Sequence, residues 1–156
     1  MPVLEVDGKP LAQSYAINRF LARKYGLAGK DDWEASQLDS IADFKTDFQI
    51  EIRPYLIVAV GMAQGDKEKL FNEVFKPAFE KFAPVLLKLL QESGSGFYGK
   101  NGVSWVDFEL AGLTLTMSGM HPELLEKYPE LVKHMEKVHA LPQLKNYIET
   151  RPKTPF

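Results

Sequence analysis

The hydrophobic positions of this chain follow two periods, and the change from one to the other falls at Ser14. Before it, Val3-Leu4-Glu5-Val6 and Pro10-Leu11-Ala12 read as short strands around Asp7-Gly8, a dipeptide that tolerates positive φ and closes a tight hairpin. From Ser14 the period is that of a helix. Ile17, Phe20, Leu21 and Tyr25 fall at i, i+3, i+4 and i+8, Arg19, Arg23 and Lys24 take the other face, and Gly26 supplies the stop. Residues 27–33 read as a linker, because Gly29 and Lys30-Asp31-Asp32 break both periods. The remainder is helical in pattern. A helix over Trp33 to Met62 carries Leu38, Ile41, Ala42 and Phe48 on one stripe. A second, over Asp66 to Gln91, is expected to bend at Pro77 and Pro84, where proline removes a backbone donor and crowds the preceding turn. Ser93-Gly94-Ser95-Gly96 marks a loop, and three or four shorter helices follow, punctuated by Pro122, Pro129, Pro142 and Pro152. The pattern predicts a mainly α fold.

One spacing is sharper than the rest. Ser104-Trp105-Val106-Asp107 fits a reciprocal cap, in which the serine oxygen faces the Asp107 amide and the Asp107 carboxylate accepts from the Ser104 N–H. Val103 and Phe108 flank it as a hydrophobic staple. The following run, Phe108 to Leu115, is mostly apolar and is expected at the centre of the core.

Composition narrows the function classes. With 156 residues, 45% hydrophobic and 26% charged, the chain is long enough for a proper core and ordinary for a folded domain. A net charge of −2 without a basic stripe argues against nucleic acid as a partner. Without cysteine there is no disulfide framework and no protein thiol nucleophile. Tyr55 to Ala63, the longest uncharged apolar stretch, is far short of the roughly 20 residues of a membrane helix, and Glu5, Asp7 and Lys9 interrupt any signal-like run. A cytoplasmic protein without a membrane partner is expected. His121, His134 and His139 lack zinc-site spacing and read as surface or packing residues, so no metal is expected.

Taken together, Met1-Pro2-Val3-Leu4, the Asp7-Gly8 turn, Gln13-Ser14 opening a helix closed by Gly26, the Ser104/Asp107 box about 90 residues later, and the tail Tyr147 to Pro152 resemble a sigma-class glutathione transferase. That group includes nematode detoxification enzymes and haematopoietic prostaglandin D synthase. The resemblance implies a remnant of the thioredoxin-like glutathione-binding domain at residues 1–26 (a hairpin plus one helix), the linker at 27–33, and an all-helical C-terminal domain at 34–156. By the same resemblance Met1 pairs its backbone with the cysteinyl unit of glutathione, Pro2 is the cis proline beside it, and Gln13 and Ser14 hold the γ-glutamyl end. A helix start offers a hydroxyl, free N–H groups and a positive dipole end to that carboxylate. Asp47 matches an acid that reaches the neighbouring subunit's glutathione in a homodimer, Thr46 stands where some members carry a second acid, and Tyr55 and Phe156 match the wall of the electrophile pocket. Ser104 and Asp107 match the family's buried structural box.

In the family a strand, a helix and a second strand precede the residue matched by Met1, and the catalytic tyrosine lies in that segment. Free thiols have a pKa of about 8.5 and only the thiolate attacks, so a donor must stabilise the sulfur anion. Tyr15, Tyr25, Tyr55, Tyr98, Tyr128 and Tyr147 all match other elements, which implies no catalytic residue within the chain, and Met1 is expected to be an internal methionine of a longer reading frame. The resemblance thus implies conjugation of glutathione, as co-substrate, to small hydrophobic electrophiles, or prostaglandin-type isomerisation, with little activity in these residues alone. The alternative is a non-catalytic dimerising or apolar-ligand-binding module of the same fold.

Overall fold

The computed structural model describes residues 2–152; Met1 and residues 153–156, Phe156 among them, lie outside the described residues. Strands β1 (Val3–Val6) and β2 (Lys9–Ala12) form an antiparallel hairpin with Val3 opposite Ala12 and Val6 opposite Lys9. Asp7 and Gly8 both take positive φ, 51° and 75°, the mirror-image turn whose twist suits a two-residue hairpin. Helix α1 (Ser14–Lys24) follows and ends at Gly26, φ 71°, where Leu27 N–H closes the terminus on the Ala22 carbonyl at 2.8 Å.

The rest is helical: α2 (Asp32–Ala59), α3 (Lys67–Leu70), one wide π turn (Phe71–Phe75), α4 (Lys76–Ser93), α5 (Trp105–Met120), α6 (Pro122–Leu125), α7 (Pro129–His139), a 3₁₀ turn (Pro142–Leu144) and α8 (Lys145–Thr150). The predicted stripe on α2 is buried throughout, and Phe48 stacks on Phe82 of α4 with ring centroids 4.2 Å apart. Pro54 lies inside α2 without ending it. Immediately before Pro77, where a bend is expected, the helix widens into the π turn: Lys76 N–H reaches back to the Phe71 carbonyl, next to a ring that cannot donate. Pro84 is carried within α4.

Two expectations for α1 need correction. Arg19 does not take a solvent face: its guanidinium lies 3.1 Å from Asp39 and 2.6 Å from Asp43 of α2 and over the rings of Tyr15 and Trp105. Tyr25, expected on the apolar stripe, is 66% exposed, because the helix terminates before its ring can reach α2 or α5.

The linker is also tied down. Asp31 caps α2 by accepting from Glu34 N–H at 2.8 Å, and the buried Glu34 carboxylate accepts from the amides of Lys30 and Lys100, each at 2.9 Å. Gly29, φ 93°, lies so close that a Cβ there would stand 2.9 Å from Glu34 Cγ. Leu27 accepts a backbone bond from Trp105 N–H at 3.0 Å.

Helix α5 starts with the reciprocal box at Ser104 and Asp107. The Asp107 carboxylate, fully buried, accepts from Ser104 N–H and from its hydroxyl at 2.7 Å each, from Tyr98 N–H at 2.8 Å and from His134 Nε2 at 2.7 Å. Replacing Asp107 by Ala strands these donors in the core, each costing about 1–3 kcal/mol. A loss of about 3–5 kcal/mol is expected, read as a lower urea midpoint with unchanged slope. Burial first, and then the Asp107 charge, push the Tyr98 phenol well above its ordinary range. Its neutral form therefore stabilises the fold at and below a pH of about 10, and that contribution falls away as pH rises further. Alkaline unfolding should shift to higher pH in Tyr98→Phe, followed by ellipticity.

Candidate functional site

The hairpin register brings one end of the chain's first segment together. Since Val3 lies opposite Ala12, Pro2 and Gln13 continue from the same end of the ladder, with Ser14 beside them at the head of α1. All three are exposed. The Met1–Pro2 bond involves a residue outside those described.

Gln13, with φ 74° and ψ 114°, is one of two non-glycine residues at positive φ among the described residues, the other being Asp7 in the hairpin turn. A side chain with a Cβ in that region holds strain of about 1–3 kcal/mol, which persists only where surrounding structure imposes it. It is Gln13, not Ser14, that occupies the capping position of α1; Ser14 is the first helical residue, and no side chain among the described residues caps the helix. The Gln13 carbonyl accepts from Ile17 N–H at 2.9 Å, the first bond of the helix, and the amides ahead of Ile17 have no acceptor within the helix. Strained backbone, an uncapped helix start and an exposed hydroxyl thus coincide at the two positions singled out in the sequence.

The remaining predicted residues lie apart from this end. Asp47 is exposed on α2, one turn beyond the Asp43 that pairs with Arg19, and has no hydrogen-bonded partner among the described residues. Tyr55 is fully buried, packed on Phe75 at 4.8 Å and Phe71 at 6.1 Å between ring centroids. Its hydroxyl meets His121 Nε2 at 2.6 Å, and His121 Nδ1 meets the Glu123 carboxylate at 2.9 Å. A carboxylate only accepts, so Nδ1–H donates to Glu123, while Nε2 stands within hydrogen-bond distance of the phenol. Burial, then the charge of Glu123, push the Tyr55 phenol up. Burial opposes ionisation of Glu123, yet its own backbone N–H and His121 outweigh this and hold the carboxyl below its usual range.

Sequence reasoning does not find a second network under α1. Lys45 of α2 pairs with Glu109 of α5 at 2.5 Å and meets the Tyr15 hydroxyl at 3.3 Å, while Asn18 donates to Glu109 at 2.8 Å. Tyr15, next to Ser14, is therefore turned into the interface of α1, α2 and α5. Beside the pair runs a cleft of about 300 Å³ between α2 and α5, lined by Gln49, Ile52, Phe108 and Leu113 among others; Tyr55 does not line it. Periodicity has no means of signalling Lys45 and Glu109, since their positions are 64 apart and each looks like an ordinary solvated charge. His121 and His134 do serve packing, but each through an acid that sequence spacing does not single out as its partner, Glu123 and Asp107.

Among the described residues no group of three or more His, Asp or Glu side chains is arranged to hold a metal, and no helix is long and apolar enough to cross a membrane.

This architecture has known counterparts. Residues 51–151 match the family described as glutathione S-transferase, C-terminal domain. The whole chain aligns with probable glutathione S-transferase 5 of Caenorhabditis elegans at 47% identity, covering 100% of this chain and 75% of that protein. Among solved structures it superposes with TM-score 0.93 on a glutathione S-transferase of Necator americanus described as monomeric, 50% identical, covering 100% of this chain and 76% of that one. A Nu-class transferase of Haemonchus contortus gives TM-score 0.89 at 46% identity, with the same coverage of 100% and 76%. With family match, full-length identity and fold in agreement, the chain belongs to the glutathione S-transferase family.

Proposed function

We propose that residues 1–26 form part of a glutathione site of the sigma-class type, with 27–33 as linker and 34–156 as the helical domain. Gln13 and Ser14 receive the γ-glutamyl end, and Met1 and Pro2 lie along the cysteinyl unit. The observation that carries this reading is the strained Gln13 at the head of an uncapped α1. Such strain concentrates at ligand-binding positions, and open amides at a positive helix end suit a carboxylate. Asp47, exposed one turn beyond the Arg19 clamp, is assigned to the glutathione of a second subunit in a homodimer. Tyr55 and Phe156 are assigned to the electrophile side, where full burial makes Tyr55 a backing residue.

The reaction is conjugation of the glutathione thiol to small hydrophobic electrophiles, in a cytoplasmic, detoxifying role. Within these 156 residues the tyrosine nearest the site, Tyr15, is committed to the Lys45 side of α1, so no phenol stands ready to stabilise the thiolate. Conjugation to 1-chloro-2,4-dinitrobenzene by this chain alone is therefore expected near the uncatalysed rate; robust turnover would overturn that assignment.

A second experiment addresses the binding half directly. Gln13→Gly relieves the positive-φ strain, and after the entropy cost of glycine a gain of about 1 kcal/mol in unfolding free energy is expected. The same change removes the side chain and loosens the preformed turn, so calorimetry should show glutathione binding several-fold weaker. A variant that is more stable and binds as well as the parent would remove Gln13 from the site.

A further inference from the structure

Of the asparagines in the chain only Asn101 is followed by glycine. Asn18, Asn72 and Asn146 precede Arg19, Glu73 and Tyr147, and lie within the helical backbone of α1, the π turn and α8. Asn101 and Gly102 instead belong to the loop between α4 and α5. Asn101 is exposed, and no atom lies within 4 Å of the place that a Cβ of Gly102 would occupy. The Gly102 amide donates to the Gly99 carbonyl at 3.3 Å, beyond the usual range of about 2.7–3.2 Å, so little holds it.

The side chain of Asn101 faces a buried acid. Its amide donates to Glu34 Oε2 at 3.4 Å, and the same carboxylate, on a residue only 4% exposed, accepts from the backbone of Lys30 and Lys100. Asn101 and Glu34 both line a cleft of about 180 Å³ between the linker and the loop, with Gly26, Gly29, Lys30 and Gly102 among its other walls. A polar space of that size admits water. Beyond Gly102 the loop runs directly into the Ser104 cap and Trp105, whose N–H bonds to the Leu27 carbonyl at 3.0 Å and so ties the head of α5 to the linker.

We propose that Asn101 is a site of spontaneous deamidation, whose product loosens the clamp that Glu34 forms between the linker and the head of α5. The Gly102 nitrogen gives its proton to solvent base and bonds to Asn101 Cγ. The Cγ–Nδ2 bond then breaks, and Nδ2 takes up a proton and leaves as ammonia. Water opens the resulting five-membered imide at either carbonyl, leaving aspartate or isoaspartate. Glycine favours ring closure because it has no Cβ to obstruct the approach. Either product replaces a donor to Glu34 by a second carboxylate, and like charges that share a site disfavour each other. Isoaspartate in addition routes the main chain through the former side chain, lengthening the loop just before the Ser104 cap. The site is separate from the Gln13–Ser14 end and does not depend on glutathione binding.

The full chain is aged in mildly alkaline buffer, and tryptic peptides are followed by mass spectrometry, with isoaspartate read by enzymatic methylation. The peptide that begins at Asn101 should gain the mass of OH in place of NH2 about tenfold faster than those holding Asn18, Asn72 or Asn146, whose helical backbone must open first. The more acidic, converted chain is then separated by anion exchange and its amide exchange measured. Trp105 N–H should exchange several-fold faster than in the fresh chain. Asn101→Gln, aged in parallel, keeps the amide donor without the five-membered route and should show neither change. Conversion at Asn101 no faster than at the other asparagines, or a converted chain whose Trp105 amide exchanges as slowly as in the fresh one, overturns the proposal.

Discussion

Among the packed helices a single buried carboxylate, that of Asp107, receives donors from three separate stretches of chain, and the packing of α5 rests on it. Helix α5 is apolar nearly all round, so hydrophobic burial alone sets its depth in the core but does little to fix its rotation or its start. Asp107 supplies the missing direction: it binds the backbone at Ser104, the loop at Tyr98 and the side chain of His134 on α7. A buried polar group of this kind is costly unless every partner is in place, so misregistered packings of α5 and α7 lose several hydrogen bonds together. The same logic recurs at smaller scale in Glu34, which gathers amides from both ends of the long loop-to-loop contact between residues 30 and 100.

These two acids mark the boundary of what local sequence conveys. The Ser104/Asp107 box is legible because its members are three residues apart and a helix start gives that spacing a mechanism. The hairpin, the stop at Gly26 and the stripe of α2 are legible for the same reason: period and turn chemistry are local. By contrast, His134 is 27 positions from Asp107, Asn101 is 67 from Glu34, and His121 is 66 from Tyr55. Such pairs are set by the way helices cross, and no periodicity in the sequence distinguishes a histidine destined for a buried carboxylate from one left in water.

The departures at α1 have a different origin. Arg19 reads as solvent-facing because charge normally is, yet its planar guanidinium spans two aspartates while its body lies on two aromatic rings, an arrangement that a lysine could not reproduce. At the head of α1 the capping position falls to Gln13, and Ser14 is the first helical residue. Serine is the better cap by preference, and glutamine at positive φ is a poor choice on local grounds alone. Local preference overridden at two adjacent positions accords with the ligand contact proposed for them.

What holds that strained turn cannot be the hairpin. Two short strands and one helix are marginal in water, and the hairpin's exposed Val3 shows how little of it is covered. The restraint comes from beneath α1, where Asn18 and Tyr15 meet the Lys45–Glu109 pair and Arg19 meets Asp39 and Asp43. The Arg19–Asp43 contact has an exposed partner and by itself contributes little, on the order of 1 kcal/mol or less. Lys45 is another matter, being only 7% exposed and paired within the interface. The geometry of the Gln13–Ser14 end is therefore a property of the α1–α2–α5 junction: substitutions at Lys45 or Glu109, which touch none of the proposed ligand contacts, act on the site by releasing the helix that carries it.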